Sequence, residues 1–189
     1  MRKLVLFMHI SVDGFAADKN GDIGWVHVDD EIFEYAGRRT GVADTALYGR
    51  KTYELMQSYW PTAAEQPNPS KHDLDHSKWY KNVDKVVLST SLRGKKLPKT
   101  KIISDNIVDE IHNLKRRSGN EIIIFGSPGA SHSLMAANLI DEYWLFVNPV
   151  LLGAGTPLFT DILDQTNLTL VTSHAFSSGV MCLQYQLQR

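Results

Sequence analysis

Residues 121–135 read EIIIFGSPGASHSLM: four uninterrupted apolar residues, a short loop of small residues, then a segment that favours helix. An apolar run with neither strand alternation nor helical spacing belongs to a strand covered on both faces, which is how strands of parallel sheets are covered. In the loop, Ser127 is placed to cap the helix, Pro128 suits its first position, and Gly126 and Gly129 let another molecule approach the backbone. Ala130 and Ser131 complete the turn. Two readings fit, a well-capped helix after a strand and a cradle for phosphate. The loop has neither G-x-G-x-x-G nor a P-loop lysine, so neither of those nucleotide fingerprints applies.

A second junction of the same kind lies upstream. In LYGRKTYELM, 47–56, Gly49, Arg50, Lys51 and Thr52 stand where a strand passes into a helix. The free N–H groups and positive dipole end of such a helix attract anions, and two adjacent cations deepen the attraction. The competing reading is a turn glycine followed by solvated cations. Ser89, Thr90 and Ser91, closing DKVVLST, would add hydroxyls at the same sheet end or form a polar strand terminus. Open α/β sheets bind ligands at the carboxyl ends of their strands, so two such junctions suit one ligand with separated phosphates, a dinucleotide. The two cations suit a ribose 2′-phosphate and so favour NADP over NAD.

The remaining chain supplies the frame. Strands are expected at 3–11, 44–49, 84–90, 100–105 and 121–126, with amphipathic helices after Asp29, after Gly49 and over 106–118. Residues 61–71, with three prolines, read as a long loop. The segments 143–152, 168–176 and 180–188 are strand-like, and Ser177-Ser178-Gly179 is a hairpin connection, so an antiparallel edge should close an otherwise parallel sheet with helices on both faces. The 189 residues show no linker or repeat and are expected to form one domain.

A hydrophobic fraction of 43% and a formal net charge of −1 are those of an ordinary globular protein and point to neither nucleic acid nor membrane. The apolar start of MRKLVLFMHI stops at His9, Asp13 and Asp18 follow, and no cleavage site is evident, so this is read as a strand rather than a signal peptide. One cysteine, Cys182, excludes an intramolecular disulfide and a cysteine-based zinc site, and fits a cytoplasmic setting. His72 and His76 have a metal-compatible spacing but lack a third ligand, so no metal is expected. Of four tryptophans only Trp25, in GDIGW, is weighed as a substrate contact; Trp60, Trp79 and Trp144 are read as packing.

Together MHISVDGFAAD (8–18), GDIGW (21–25), ALYGRKTYELM (46–56), KVVLSTSL (85–92) and residues 122–159 resemble the dihydrofolate reductase superfamily. Within it they are most similar to the reductase domain of the bifunctional riboflavin-biosynthesis deaminase-reductase. The resemblance spans the chain and rests on S-x-D-G-F, G-R-x-T-Y-E and D-E-x(6)-P-x-x-x-G-x-G in order. It implies a three-layer α/β/α fold on a mixed, mostly parallel eight-stranded sheet with an antiparallel C-terminal strand. It also implies NADPH as hydride donor, a small-molecule substrate and a homodimer. Residues matching Gly49 to Thr52 would meet the 2′-phosphate and pyrophosphate end, those matching Ser89 to Ser91 the adenosine, and those matching Gly126 to Ser131 the pyrophosphate. The segment matching Ser11 to Ala17 would lie beside nicotinamide and substrate, which makes Asp13 and Phe15 substrate candidates and Ala17 a cofactor contact. An Asp-Gly turn is the other reading of Asp13.

Two departures bear on this. Many members carry adjacent glycines where this chain has Gly126-Ser127, so the backbone approach there is expected to differ, and no H-x-E with P-C-x-x-C of a deaminase occurs. Folate-reducing members place an acid at the start of the first helix, where Asp29, Asp30 and Glu31 crowd together. Asp13 and Asp30 are the expected proton sources, given a carboxyl pKa raised by burial. The expected activity is NADPH-dependent reduction of a heterocyclic or ribosylamino-pyrimidine-like substrate. The alternatives are a true dihydrofolate reductase and an NADP-binding regulatory protein with little turnover.

Overall fold

The computed structural model describes all residues except 161, 163 and 189. In chain order the elements are β1 (Leu4–Ser11), β2 (Phe15–Asp18), α1 (Asp30–Thr40), β3 (Thr45–Gly49), α2 (Arg50–Tyr59), α3 (Lys71–Asn82), β4 (Asp84–Leu88) and β5 (Thr100–Ile103). There follow α4 (Ile107–Arg116), β6 (Ile122–Phe125), α5 (Pro128–Ala136), β7 (Glu142–Asn148), β8 (Gly155–Pro157), β9 (Leu168–Ala175) and β10 (Met181–Leu187). Eight strands form one sheet in the order β5-β4-β3-β6-β1-β7-β10-β9. Neighbours from β5 to β7 are parallel, while β10 runs antiparallel to both β7 and β9. The expected antiparallel closure is present, with β9 rather than the C-terminal strand at the edge.

Strand pleating divides the apolar residues of the sheet between two layers. Leu4, Leu6, Met8 and Ile10 of β1 pack with Ile111 and Leu114 of α4 and Leu134 of α5. Val5, with Phe7 at its margin, turns to the other face, where Ile32 and Ala36 of α1, Tyr53 of α2 and Tyr80 of α3 lie. Successive strand residues alternate faces, so one apolar run feeds both layers. No helix among the described residues is long and apolar enough to cross a membrane.

Three elements lie outside the sequence expectations. α3 begins where the long polar loop was read to end and is started by a capping box, Ser70 with Asp73, but buries only Ser77 and Tyr80, so it carries little apolar periodicity. β2 and β8 are four and three residues long and pair with each other outside the main sheet, too short to show a period.

On the α1 and α3 side, a run of rings extends over the sheet: His72 stacks on Phe33 at 3.8 Å, Trp60 meets His76 at 4.1 Å, and His76 approaches Phe125 at 5.9 Å. Burial pushes the His76 pKa down to about 3, and that of His9 on β1 down to about 4. The unfolded chain takes up these protons near pH 6.5, the folded chain only below about 4 and 3. Stability is therefore full above pH 6.5 and is lost as the pH falls below it. Urea unfolding should show stability falling by roughly 2 kcal/mol per histidine between about pH 7.5 and about pH 5. An unchanged or higher midpoint at the lower pH would contradict this burial.

Candidate active site

The chain leaves β3 through α2 toward β4 on one side, and leaves β6 through α5 toward β7 on the other. Since β3 and β6 are neighbours, their carboxyl ends bound the crevice where connections diverge, the usual place for a ligand in an open α/β sheet. Both helices that flank it start without a side-chain cap and without an acidic residue in the first turn. Every other α-helix has at least one: α1 is capped by Asp29, α3 by Ser70, and α4 carries Asp109 and Glu110. The amides of Arg50, Lys51 and Thr52, and of Gly129 and Ala130, are the groups such starts leave free, with the positive ends of both dipoles behind them.

The two starts touch. The Gly49 N–H donates to Ser127 Oγ at 2.9 Å, and Ser127 Oγ donates to the Phe125 carbonyl at 3.1 Å. A methyl group added at Gly49 would lie 3.6 Å from Ala130 Cβ, and one at Gly126 would lie 3.7 Å from Thr52 Cγ2. Ser127 is thus not the cap expected from sequence, because its hydroxyl is turned across the seam to the other junction. Its backbone explains the substitution for a second glycine: Gly126 has φ +53° and Ser127 φ +60°, two successive left-handed residues. At Ser127 this costs about 1 kcal/mol, which the two hydroxyl bonds offset. Pro128 occupies the start of α5 as expected, and Ser131 is buried in its first turn.

The cations differ in freedom. Arg50 is paired with Glu54 one turn on at 2.8 Å, whereas exposed Lys51 has no ion pair among the described residues. Ser89, Thr90 and Ser91 lie at the end of β4, one strand away, since Leu88 pairs with Gly49. The Ser89 hydroxyl accepts the Leu92 N–H at 3.2 Å and lies 3.2 Å from Ser91 Oγ, so it is partly engaged locally, while Thr90 is exposed.

At the end of β1, S-x-D-G-F is a self-contained turn. Ser11 Oγ donates to Asp13 Oδ1 at 2.6 Å and accepts from the Phe15 N–H at 2.9 Å. Asp13 also receives the N–H groups of Leu152, at 3.1 Å, and Gly153, at 2.7 Å. The Ser11 hydroxyl, with these amides, holds its carboxyl below the usual range although it lies at the surface. This corrects the expectation of a buried acid with raised pKa: Asp13 is a pin between two loops. Asp30 is exposed, Asp29 caps α1, and Glu31 receives the Ser177 hydroxyl, which holds it below its usual pKa. None of the three meets the seam through a hydrogen bond or ion pair among the described residues. Buried Ala17 pairs with Thr156, and its carbonyl would lie 2.1 Å from a side chain at Gly155, so only glycine fits there. Half-buried Phe15 pairs with Pro157. Trp25 is held within its own loop through Nε1 to the Asp22 carbonyl. Among the described residues no group of three or more His, Cys, Asp or Glu is placed to hold a metal.

Residues 2–182 match the RibD C-terminal domain family. The chain belongs to that family. Over 188 residues it is 33% identical to the uncharacterized protein YyaP of Bacillus subtilis (strain 168), covering 97% of this chain and 94% of that protein. Its fold is shared by a Thermotoga maritima diaminohydroxyphosphoribosylaminopyrimidine deaminase/5-amino-6-(5-phosphoribosylamino)uracil reductase. That match has a TM-score of 0.67 and 19% identity, over 99% of this chain and 57% of that one. An Enterococcus faecalis dihydrofolate reductase complexed with NADP(H) has a TM-score of 0.64 at 14% identity, covering 99% of this chain and 97% of that one. At these identities the two structures show the fold, an α/β sandwich with the eight-stranded sheet expected from sequence.

Removing the Ser127 hydroxyl separates its two effects. Ser127→Ala should lower stability by about 1–3 kcal/mol by leaving the Gly49 amide without its acceptor. Ser127→Gly should lose less, because it also removes the left-handed cost. The opposite order in chemical denaturation would contradict the bridging role.

Proposed function

We propose that this protein is an NADPH-dependent reductase of a small planar heterocycle of the aminopyrimidine kind. The observation that carries the reading is the pair of uncapped helix starts at the switch point, joined through Ser127 and flanked by the free cation Lys51. Family membership and the likeness to folds that include an NADP(H) complex support it.

In this reading the amides of Gly129 and Ala130 receive a pyrophosphate, which the absence of a side chain at Gly126 lets approach, while Lys51, Thr52 and more weakly Arg50 receive the 2′-phosphate. Ser89, Thr90 and Ser91 border the adenosine. The bound cofactor supplies a hydride to an electrophilic carbon of the substrate. Asp13 fixes the loop at 152–153 against the end of β1 and so shapes the pocket beside Phe15, Ala17 and Trp25. Held ionised by its donors, it does not store a proton, and the proton that completes the reduction comes from water. We read residues 1–189 as one reductase domain acting as a homodimer in the cytoplasm. Leu170 and Val171, exposed on the edge strand β9, suit an interface.

Titration with NADPH and NADH, followed by fluorescence, tests the cofactor. Lys51→Ala should weaken NADPH about tenfold or more and leave NADH nearly unchanged, with a smaller effect for Arg50→Ala because Glu54 already offsets that charge. Equal affinity for the two cofactors would refute the 2′-phosphate assignment. NADPH oxidation with 5-amino-6-(5-phosphoribosylamino)uracil, against dihydrofolate, tests the substrate class, and turnover of dihydrofolate alone would overturn it.

A further inference from the structure

β1 outruns β6. Pairing between them ends at Phe7 with Phe125, whereas β1 and β7 stay paired to Ser11 with Asn148. From His9 onward, β1 therefore has a strand on one side only. Its other side faces the space that β6 vacates as the chain turns into Gly126 and Ser127. His9 and Ser11 are the polar residues of this overhang that alternate onto the α1 face. Ser11 is engaged by Asp13 and the Phe15 N–H, while the His9 ring is stacked on Phe146 at 4.8 Å and edge-on to Phe7 at 5.9 Å.

Its hydrogen-bonding state is set by Asn148, which is 1% exposed. Asn148 Oδ1 accepts the His27 N–H at 2.8 Å, and Nδ2 faces the carbonyls of Phe146 at 3.1 Å and Ile10 at 3.3 Å. A backbone amide can only donate and a carbonyl only accept, so three backbone groups fix which end of the Asn148 amide is nitrogen. That nitrogen also lies 3.4 Å from His9 Nδ1, so an N–H of Asn148 shared between a carbonyl and the ring would meet Nδ1 as acceptor. That contact favours the ring proton on Nε2, and Nε2 makes no hydrogen bond to the described residues although the ring is only half-buried. Burial, which pushes the pKa down to about 4, keeps the ring neutral.

Resting on the reductase reading above, we propose that His9 recognises the substrate. Its Nε2–H, oriented by Asn148, donates a hydrogen bond to a carbonyl oxygen or unprotonated ring nitrogen of the heterocycle held in the overhang beside β1. The Phe146 ring behind it fixes the plane of the donor. A heterocycle with an N–H at that edge would be rejected, because two donors would face each other.

The test combines a spectrum with kinetics. Long-range proton–nitrogen correlation on protein labelled in its histidine rings should show His9 as the Nε2–H tautomer at neutral pH, and the Nδ1–H tautomer would overturn the proposal. With 5-amino-6-(5-phosphoribosylamino)uracil and NADPH, His9→Ala should lower kcat/KM by about 10- to 100-fold. NADPH affinity should be unchanged in that variant, and His9→Gln, which keeps a donor, should recover part of the loss. Wild-type kcat/KM in His9→Ala would overturn the role of His9 and leave the reductase reading intact. A wild-type protein that neither binds nor reduces this pyrimidine would overturn that reading, and the substrate partner of His9 with it.

Discussion

The Ser127 hydroxyl, lodged between the amide of Gly49 and the carbonyl of Phe125, joins the starts of α2 and α5. A serine before a helix ordinarily spends its oxygen on that helix's own amides. Here the left-handed backbone turns the side chain toward the neighbouring junction, so one residue closes the seam between β3 and β6 and leaves the amides of α5 free. The same choice explains why an ordinary residue occupies a position where glycine has no steric cost. The hydroxyl contributes a bond that glycine cannot make.

The end of β1 is organised by the same economy. Ser11, Asp13 and the Phe15 amide close a turn, and the Asp13 carboxylate reaches out to the amides at 152 and 153. The motifs S-x-D-G-F and P-x-x-x-G-x-G, far apart in sequence, are thus two halves of one structure. Gly155 lets the chain pass against the Ala17 carbonyl, and Asp13 holds the preceding loop in place. A carboxylate with three donors is well suited to this and poorly suited to acid catalysis near neutral pH.

Much of this was legible beforehand. The apolar run at 122–125 and the glycine-led junctions at 49 and 126 marked the parallel sheet and its two strand-to-helix junctions, because buried strands and helix starts leave local signatures. What escaped had no local signature. α3 carries too few buried residues to show a period, and β2 and β8 are too short. The role of Ser127 depends on a partner 78 positions away. His9 was read only as the place where an apolar run stops. A single polar residue inside a buried strand was the available signal, and its meaning needed Asn148, brought alongside by the pairing of β1 with β7.

The central claim is that the starts of α2 and α5 form one anion site. Amide chemical shifts followed by NMR during titration with adenosine 2′,5′-bisphosphate test it most directly. The account predicts saturable shifts centred on Arg50, Lys51, Thr52, Gly129 and Ala130, with the capped starts of α1 and α3 unmoved. Shifts confined to other surfaces, or no saturable change, would contradict it.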